Sequence, residues 1–406
     1  MGEPVVYSLG ILLLSVCFLP LLYYLFSLCC VVDYFRGVHA RRPPCGPFAP
    51  PVSILKPVRG IDQLAYENFA SFCRLDYPEY EIVFAASDPY DPVVHIVQKL
   101  QEDFPHRRIR VLTGFAGLGT NNKVNNLCRL VHEAQHDLVV MSDSDVRVDA
   151  DYLREVVAPF ADPQVGLVTA LFRGLPVGGT VSYLNALGMY ADSAPSALVA
   201  RKLEHKMQFA FGWTMATTKS VLAQIGGLES IVNYHSDDFE LGNRVSRLGY
   251  RVEFMRTAVW MVCPKETLRD FFKHELRWAI GLRNVRPVGY LGVLLTHGLP
   301  WSILAAIAAA SAGWLGTVVA FPLAYLCLRL SLVWTAGVWG LGDRRIARKL
   351  YLVPLRDLLS FAAWIGGLFS SRIVWRGLSY HVYKGFLVPA EAGKGARAVR
   401  TAQTAH

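Results

Sequence analysis

Residues 137–145 read DLVVMSDSD: an apolar run from Leu138 to Met141, then two acids, Asp143 and Asp145, separated by one serine. A run this short, apolar throughout and bounded by charge, predicts a buried strand. Three similar runs precede it, VSILKPV (52–58), EIVFAAS (81–87) and IRVLTG (109–114). Helix-like stretches at 66–74, 93–104 and 124–134 lie between them. Strands alternating with helices predict a parallel sheet in an α/β layer.

Such sheets bind ligands beyond the carboxyl ends of their strands, and these ends are polar. EIVFAAS runs into Asp88, and DLVVM into Asp143 and Asp145. The loop GTNNKVNN (119–126) adds Lys123 among small amides. A strand-end Asp is often only a turn former. In an extended stretch, however, alternate carboxylates face the same way and can share a ligand. Oxygen donors of this kind suit Mg²⁺ or Mn²⁺, with substrate phosphates completing the shell.

Two more stretches carry charge in suggestive places. NYHSDDFELGNRV (233–245) puts Asp237 and Asp238 at a helix start. There they serve either as dipole-complementing capping acids or as a catalytic base. FKHELRWAIGLRNVR (272–286) carries His274, Arg277 and Trp278 in a basic, amphipathic segment suited to a bilayer surface. Arg277 and Trp278 can mark the headgroup level, or neutralise a leaving diphosphate and close over the substrate.

The remainder concerns membranes. Of 406 residues, 53% are hydrophobic. Residues 5–32 are almost free of charge and long enough to cross a bilayer. With no basic start and no small-residue cleavage site, they read as an uncleaved anchor. Residues 299–341 hold one charge, Arg329, and are long enough for two spans. Residues 358–371 suit a span, a re-entrant segment or an interfacial helix. Basic flanks after the first two blocks place them on the inside, so that residues 43–290 are cytosolic. The net charge of +9 is explained by anionic headgroups, with no nucleic-acid motif. Eight scattered cysteines without a CxxC pair exclude zinc and disulfide frameworks.

The expected organisation is an anchor (1–42), an α/β domain (43–266), an interfacial segment (267–290), membrane helices (291–371) and a basic cytosolic tail (372–406). A stiff proline-rich linker, RRPPCGPFAPP (41–51), hands the chain from the membrane to the domain. The tail from about Ala390 onward has a disordered composition.

In order, SDP, DSD, SDDFELG and HELRW resemble the motifs of processive-type family 2 glycosyltransferases of the GT-A fold. More narrowly, ILKPVRG, CRLDYPEYEIVF, NNKVNNL, DSDVRV and IGGL resemble the ceramide glucosyltransferases and their bacterial, hopanoid-associated relatives. The resemblance implies a Rossmann-like GT-A catalytic domain inserted between an N-terminal transmembrane helix and a C-terminal helical membrane region. It implies that Asp88 holds uridine, that Asp145 with Asp143 binds Mn²⁺ or Mg²⁺, and that Lys123 lies by the UDP diphosphate. Asp238 would be the base, with Asp237 in the Glu position of the usual Glu-Asp pair. His274, Arg277 and Trp278 would lie by the diphosphate and acceptor, although His274 stands where Gln or Arg is usual.

The implied partners are a UDP-sugar, a lipid acceptor (ceramide, then hopanoid) and the bilayer. The implied location is a bacterial inner membrane or a Golgi or ER-type membrane, with several spans. Residues 189–215 match the family poorly where the acceptor would bind. The competing readings are a processive polysaccharide synthase and a membrane scaffold with a degenerate domain.

Overall fold

A computed structural model describes residues 3–41 and 48–390. The proline-rich linker lies mostly outside these residues, as does the tail beyond 390. The described chain forms two units, one built on sheets and one on helices.

The sheet unit holds eight strands: β1 (Val52–Pro57), β2 (Tyr80–Ala86), β3 (Arg108–Thr113), β4 (Leu138–Met141), β5 (Val146–Arg147), β6 (Val165–Pro176), β7 (Met215–Thr218) and β8 (Arg251–Cys263). Their order is β3-β2-β1-β4-β7-β6-β8-β5. The first four are the runs expected from sequence, and β1 pairs in parallel with both β2 and β4. Every residue of β1, β2 and β4 is buried, which is why these strands are mostly apolar on both faces, with Ser53, Lys56 and Glu81 as buried polar exceptions.

The sheet is mixed, not parallel throughout. β7 runs antiparallel to β4, and β6 antiparallel to β7. The four runs read from sequence pair in parallel as expected, and the antiparallel part is added by β6 and β7, which helices also separate in the chain.

The domain is also not one continuous stretch. Residues Pro176–His205 belong to the helical unit. Their helix Ala194–Glu204 meets the N-terminal helix Leu19–Ala40 through Lys202 and Asp33, 2.9 Å apart. Residues 372–389, read from sequence as the start of a basic tail, form a three-stranded antiparallel sheet of β9 (Arg372–Trp375), β10 (Leu378–Tyr383) and β11 (Phe386–Pro389).

Among the described residues three helices are long and apolar enough to cross a membrane: Gly10–Ala40, Leu315–Gly340 and Arg344–Phe369. Pro287–Thr296 and Gly298–Ser311, bent by 54°, make a fourth if they form one span. The lone charge in the second apolar block is paired. Arg329 donates to Asp357 at 2.7 and 2.9 Å and to Asp192 at 2.5 Å, and is 3% exposed. An apolar segment tolerates an arginine where carboxylates and carbonyls surround it.

Candidate active site

Four of the residues singled out from sequence converge. Lys123 opens the helix Asn122–Glu133, which Asn121 caps by accepting from the Lys123 and Val124 amides. The Asn121 amide group also donates to the Tyr234 carbonyl at 2.7 Å. That cap therefore ties the start of the Lys123 helix to the segment leading into Asp237. The Lys123 ammonium lies 2.9 Å from Asp143 Oδ1 and 3.2 Å from Asp237 Oδ2. These carboxylates raise its pKa against the effect of burial, so it stays charged.

The paired acids open the helix Asp237–Arg247. Ser236 makes no side-chain cap there. Asp238 Oδ1 accepts from the Phe239 amide at 2.8 Å, and Oδ2 from the Gly212 amide at 3.1 Å. Asp237 is buried against Lys123. Both acids sit in the first turn, where the helix dipole favours them, yet both also face partners outside the helix. Burial first, then the neighbouring Asp237, push Asp238 up to about 6, while Lys123 opposes the shift.

Asp143 and Asp145 follow β4 immediately. The buried Lys56 of β1 holds this turn by donating to the Asp143 carbonyl at 2.5 Å. Its ammonium also lies 4.0 Å from the centre of the Phe72 ring. Burial lowers its pKa to about 7. Asp145 is pushed up to about 7 by burial, then by Asp143 and Asp62. Among the described residues no group of three or more His, Cys, Asp or Glu side chains is arranged to hold a metal by itself. Asp143 and Asp145 fit instead the donor set of Mg²⁺ or Mn²⁺, which takes one or two carboxylates and leaves the other positions to water and phosphate.

Asp88 is exposed at the end of β2 and accepts from the Tyr90 amide. His274, Arg277 and Trp278 lie in the helical unit, on the helix Leu268–Val285. The His274 and Trp278 rings meet edge to face at 4.8 Å. Burial and the nearby Arg277 and Arg356 lower the His274 pKa to about 3, so the ring is neutral.

Sequence reading missed Gly212, whose only signal was its setting between Phe211 and Trp213. A Cβ there would stand 2.8 Å from Lys123 Nζ, 3.4 Å from Asp238 Oδ2 and 3.6 Å from Asp143 Oδ2. Three charged groups gather where one side chain is missing. Gly212→Ala is therefore expected to leave the protein folded while displacing Lys123 and lowering turnover by up to about 10²-fold. Steady-state assays beside thermal unfolding check this, and turnover within twofold of wild type would remove Gly212 from the site.

The chain matches glycosyl transferase family 21 over residues 12–388. It belongs to that family. Ceramide glucosyltransferase 3 of Caenorhabditis elegans is 22% identical over 354 residues, covering 82% of this chain and 73% of the relative. Ceramide glucosyltransferase 1 of the same organism is 23% identical, covering 66% and 57%. Among solved structures, the mannosyltransferase PcManGT from Pyrobaculum calidifontis, in complex with GDP-Man and Mn²⁺, aligns with a TM-score of 0.53 at 17% identity. It covers 90% of this chain and 99% of its own. That likeness concerns the fold, which is the Rossmann-like GT-A arrangement. This family 21 chain is accordingly a glycosyltransferase, and Asp88, Asp143 and Asp145 follow the carboxyl ends of β2 and β4, where such a sheet takes its ligands.

Proposed function

We propose that the protein transfers a hexose, glucose first, from a UDP-sugar to the hydroxyl of a membrane lipid, with inversion. Ceramide is the first acceptor to test and a hopanoid the second. The observation carrying this reading is the cluster at Gly212, where Lys123 Nζ and Asp238 Oδ2 both lie within 3.4 Å of the place a Cβ would occupy. The helices with the length and composition of spans support a multi-pass protein. The basic flanks of its apolar blocks support a sheet unit in the cytosol.

In this reading the lipid hydroxyl oxygen bonds to the anomeric carbon as the bond from that carbon to the UDP oxygen breaks. Asp238 Oδ2 takes the hydroxyl proton, and the Gly212 amide keeps that carboxylate aimed. Lys123, held by Asp143 and Asp237, presents positive charge to the diphosphate side of the site. Asp145 and Asp143 would hold Mn²⁺ or Mg²⁺, which supplies charge stabilisation for the leaving UDP. Asp88 would contact uridine, and Arg277 with Trp278 would meet the diphosphate and acceptor. The neutral His274 would support the Trp278 ring by packing and carry no charge to the phosphate.

The deciding experiment uses the purified full chain in nanodiscs with Mn²⁺ or Mg²⁺. UDP-glucose, UDP-galactose and UDP-N-acetylglucosamine are each offered with ceramide, bacteriohopanetetrol or diacylglycerol, and products are read by mass. A β-glycosyl lipid supports the reading, whereas a polymer without lipid product overturns it. The pH profile tests the base separately. With Asp238 near 6, kcat/KM is expected to fall about tenfold per unit below pH 6 and to level off above it. An acid limb near pH 4, where an ordinary carboxylate titrates, would count against Asp238.

A further inference from the structure

The sheet formed by β9, β10 and β11 has two tight turns with the same backbone. Arg376 and Gly377 have φ of 49° and 78°, and Lys384 and Gly385 have φ of 48° and 86°. These are two-residue hairpin turns with positive φ at both central positions, where Asn, Asp or Gly is preferred. A long side chain is disfavoured in this left-handed region.

The two turns dock differently. Around the Lys384 turn the contact is made by main chain: the His235 amide donates to the Gly385 carbonyl and the Leu387 amide to the Asn233 carbonyl, both at 2.8 Å. At the other turn the contact is made by the Arg376 side chain. Its guanidinium grips Asp62 with both oxygens engaged, at 2.5 and 2.8 Å. It also donates to Ser144 Oγ at 3.2 Å. The Ser144 hydroxyl in turn donates to Asp62 Oδ2 at 2.5 Å.

Ser144 is the residue between Asp143 and Asp145, and it is 7% exposed. The small sheet thus reaches both halves of the acid cluster. One turn holds the segment running into Asp237 and Asp238; the other holds the loop of Asp143 and Asp145. Planar two-point pairing with a carboxylate fixes orientation as well as distance, which an ammonium in the same place would not do.

We infer that Arg376 is a positioning residue for the nucleotide–metal site, acting through Asp62 and Ser144 to hold Asp143 and Asp145 in their binding geometry. The inference rests on the proposed role of those two acids. A loop already fixed by this bridge need not be ordered when the donor binds, so losing the bridge weakens binding more than chemistry.

The test measures binding of Mn²⁺ with UDP to the full chain in nanodiscs, by loss of the free Mn²⁺ resonance signal, beside donor KM and kcat. Arg376→Ala is expected to raise both the Mn²⁺–UDP Kd and the donor KM by about tenfold. Its kcat should stay within about threefold of wild type. Asp62→Asn should match it, the double variant should be no worse than either single, and Arg376→Lys should recover only part of the affinity. Asp145→Asn runs as the control for the site itself.

Unchanged Kd and KM in Arg376→Ala, with Asp145→Asn losing Mn²⁺–UDP binding, would overturn the inference and leave the site intact. Effects of Arg376→Ala and Asp62→Asn that multiply in the double variant would also overturn it, since Arg376 would then not act through Asp62. Full Mn²⁺–UDP binding by Asp145→Asn would instead overturn the underlying reading. Should Arg376→Ala fail to fold, Asp62→Asn and Ser144→Ala are read in its place against the same expectations.

Discussion

Asp238→Asn should lower kcat by about 10²–10⁴-fold while leaving donor binding and folding close to wild type. The substitution keeps the volume and one acceptor oxygen, for either the Gly212 or the Phe239 amide. It removes the basic lone pair that takes the acceptor's proton. The effect should therefore fall on turnover and leave the UDP-sugar KM little changed, which separates a base from a structural cap. A helix-capping acid would show the opposite pattern, a loss of about 1 kcal/mol in stability with turnover preserved. Single-turnover glycolipid formation beside thermal unfolding of both proteins decides between them. Asn at 238 with near-normal turnover would transfer the base to another group.

Lys123→Met is the other large effect, and it reaches both stability and chemistry. Lys123 is the cation between Asp143 and Asp237, with its side chain 17% exposed. Removing it leaves two carboxylates facing each other without compensation, a change that typically costs about 3–5 kcal/mol when the pair is buried. The partial exposure of Asp143 puts this case toward the lower end. Lys123 is also the charge that holds the Asp238 pKa down. Without it that pKa rises further, so the acid limb of kcat/KM should move to higher pH than the wild-type limb near 6. Both readouts come from one variant: chemical denaturation for stability and a pH series for the limb. A shift of the limb to lower pH would contradict the electrostatic arrangement described here, whatever the stability.

Much of the architecture was legible because strands buried on both faces must be apolar throughout. The runs at Val52, Tyr80 and Leu138 follow from this, and the half-exposed edge run at Arg108 and the helices between them follow from composition and period. The acids at the ends of β2 and β4 were legible for a related reason. A polar residue ending a buried strand stands where the chain leaves the core and where ligands reach the sheet. The lone Arg329 was visible too, as the only charge in its block, but its partners were not. Asp192 lies more than a hundred residues before it in the chain, and local pattern carries no information about contacts at that separation.

The same reason explains what reading the sequence left out. β6 to β8 switch the sheet to antiparallel pairing through contacts between distant segments. Sequence reading assigned no strands there, so the parallel pairing of the first four was all it offered. Gly212 is one of 33 glycines, and only three charges converging on its missing side chain distinguish it from the others. Arg376 read as one more basic residue in a tail beside a membrane, because a tail's charge is ordinarily explained by lipid. What the sequence by itself determined was the first four strands with the helices between them, the strand-end acids, the apolar helices and the family. Which acids share a lysine, which glycine lets them meet, and which arginine holds their loop were decided only by the tertiary structure. Those are distances between residues far apart in the chain, and side-chain packing sets them.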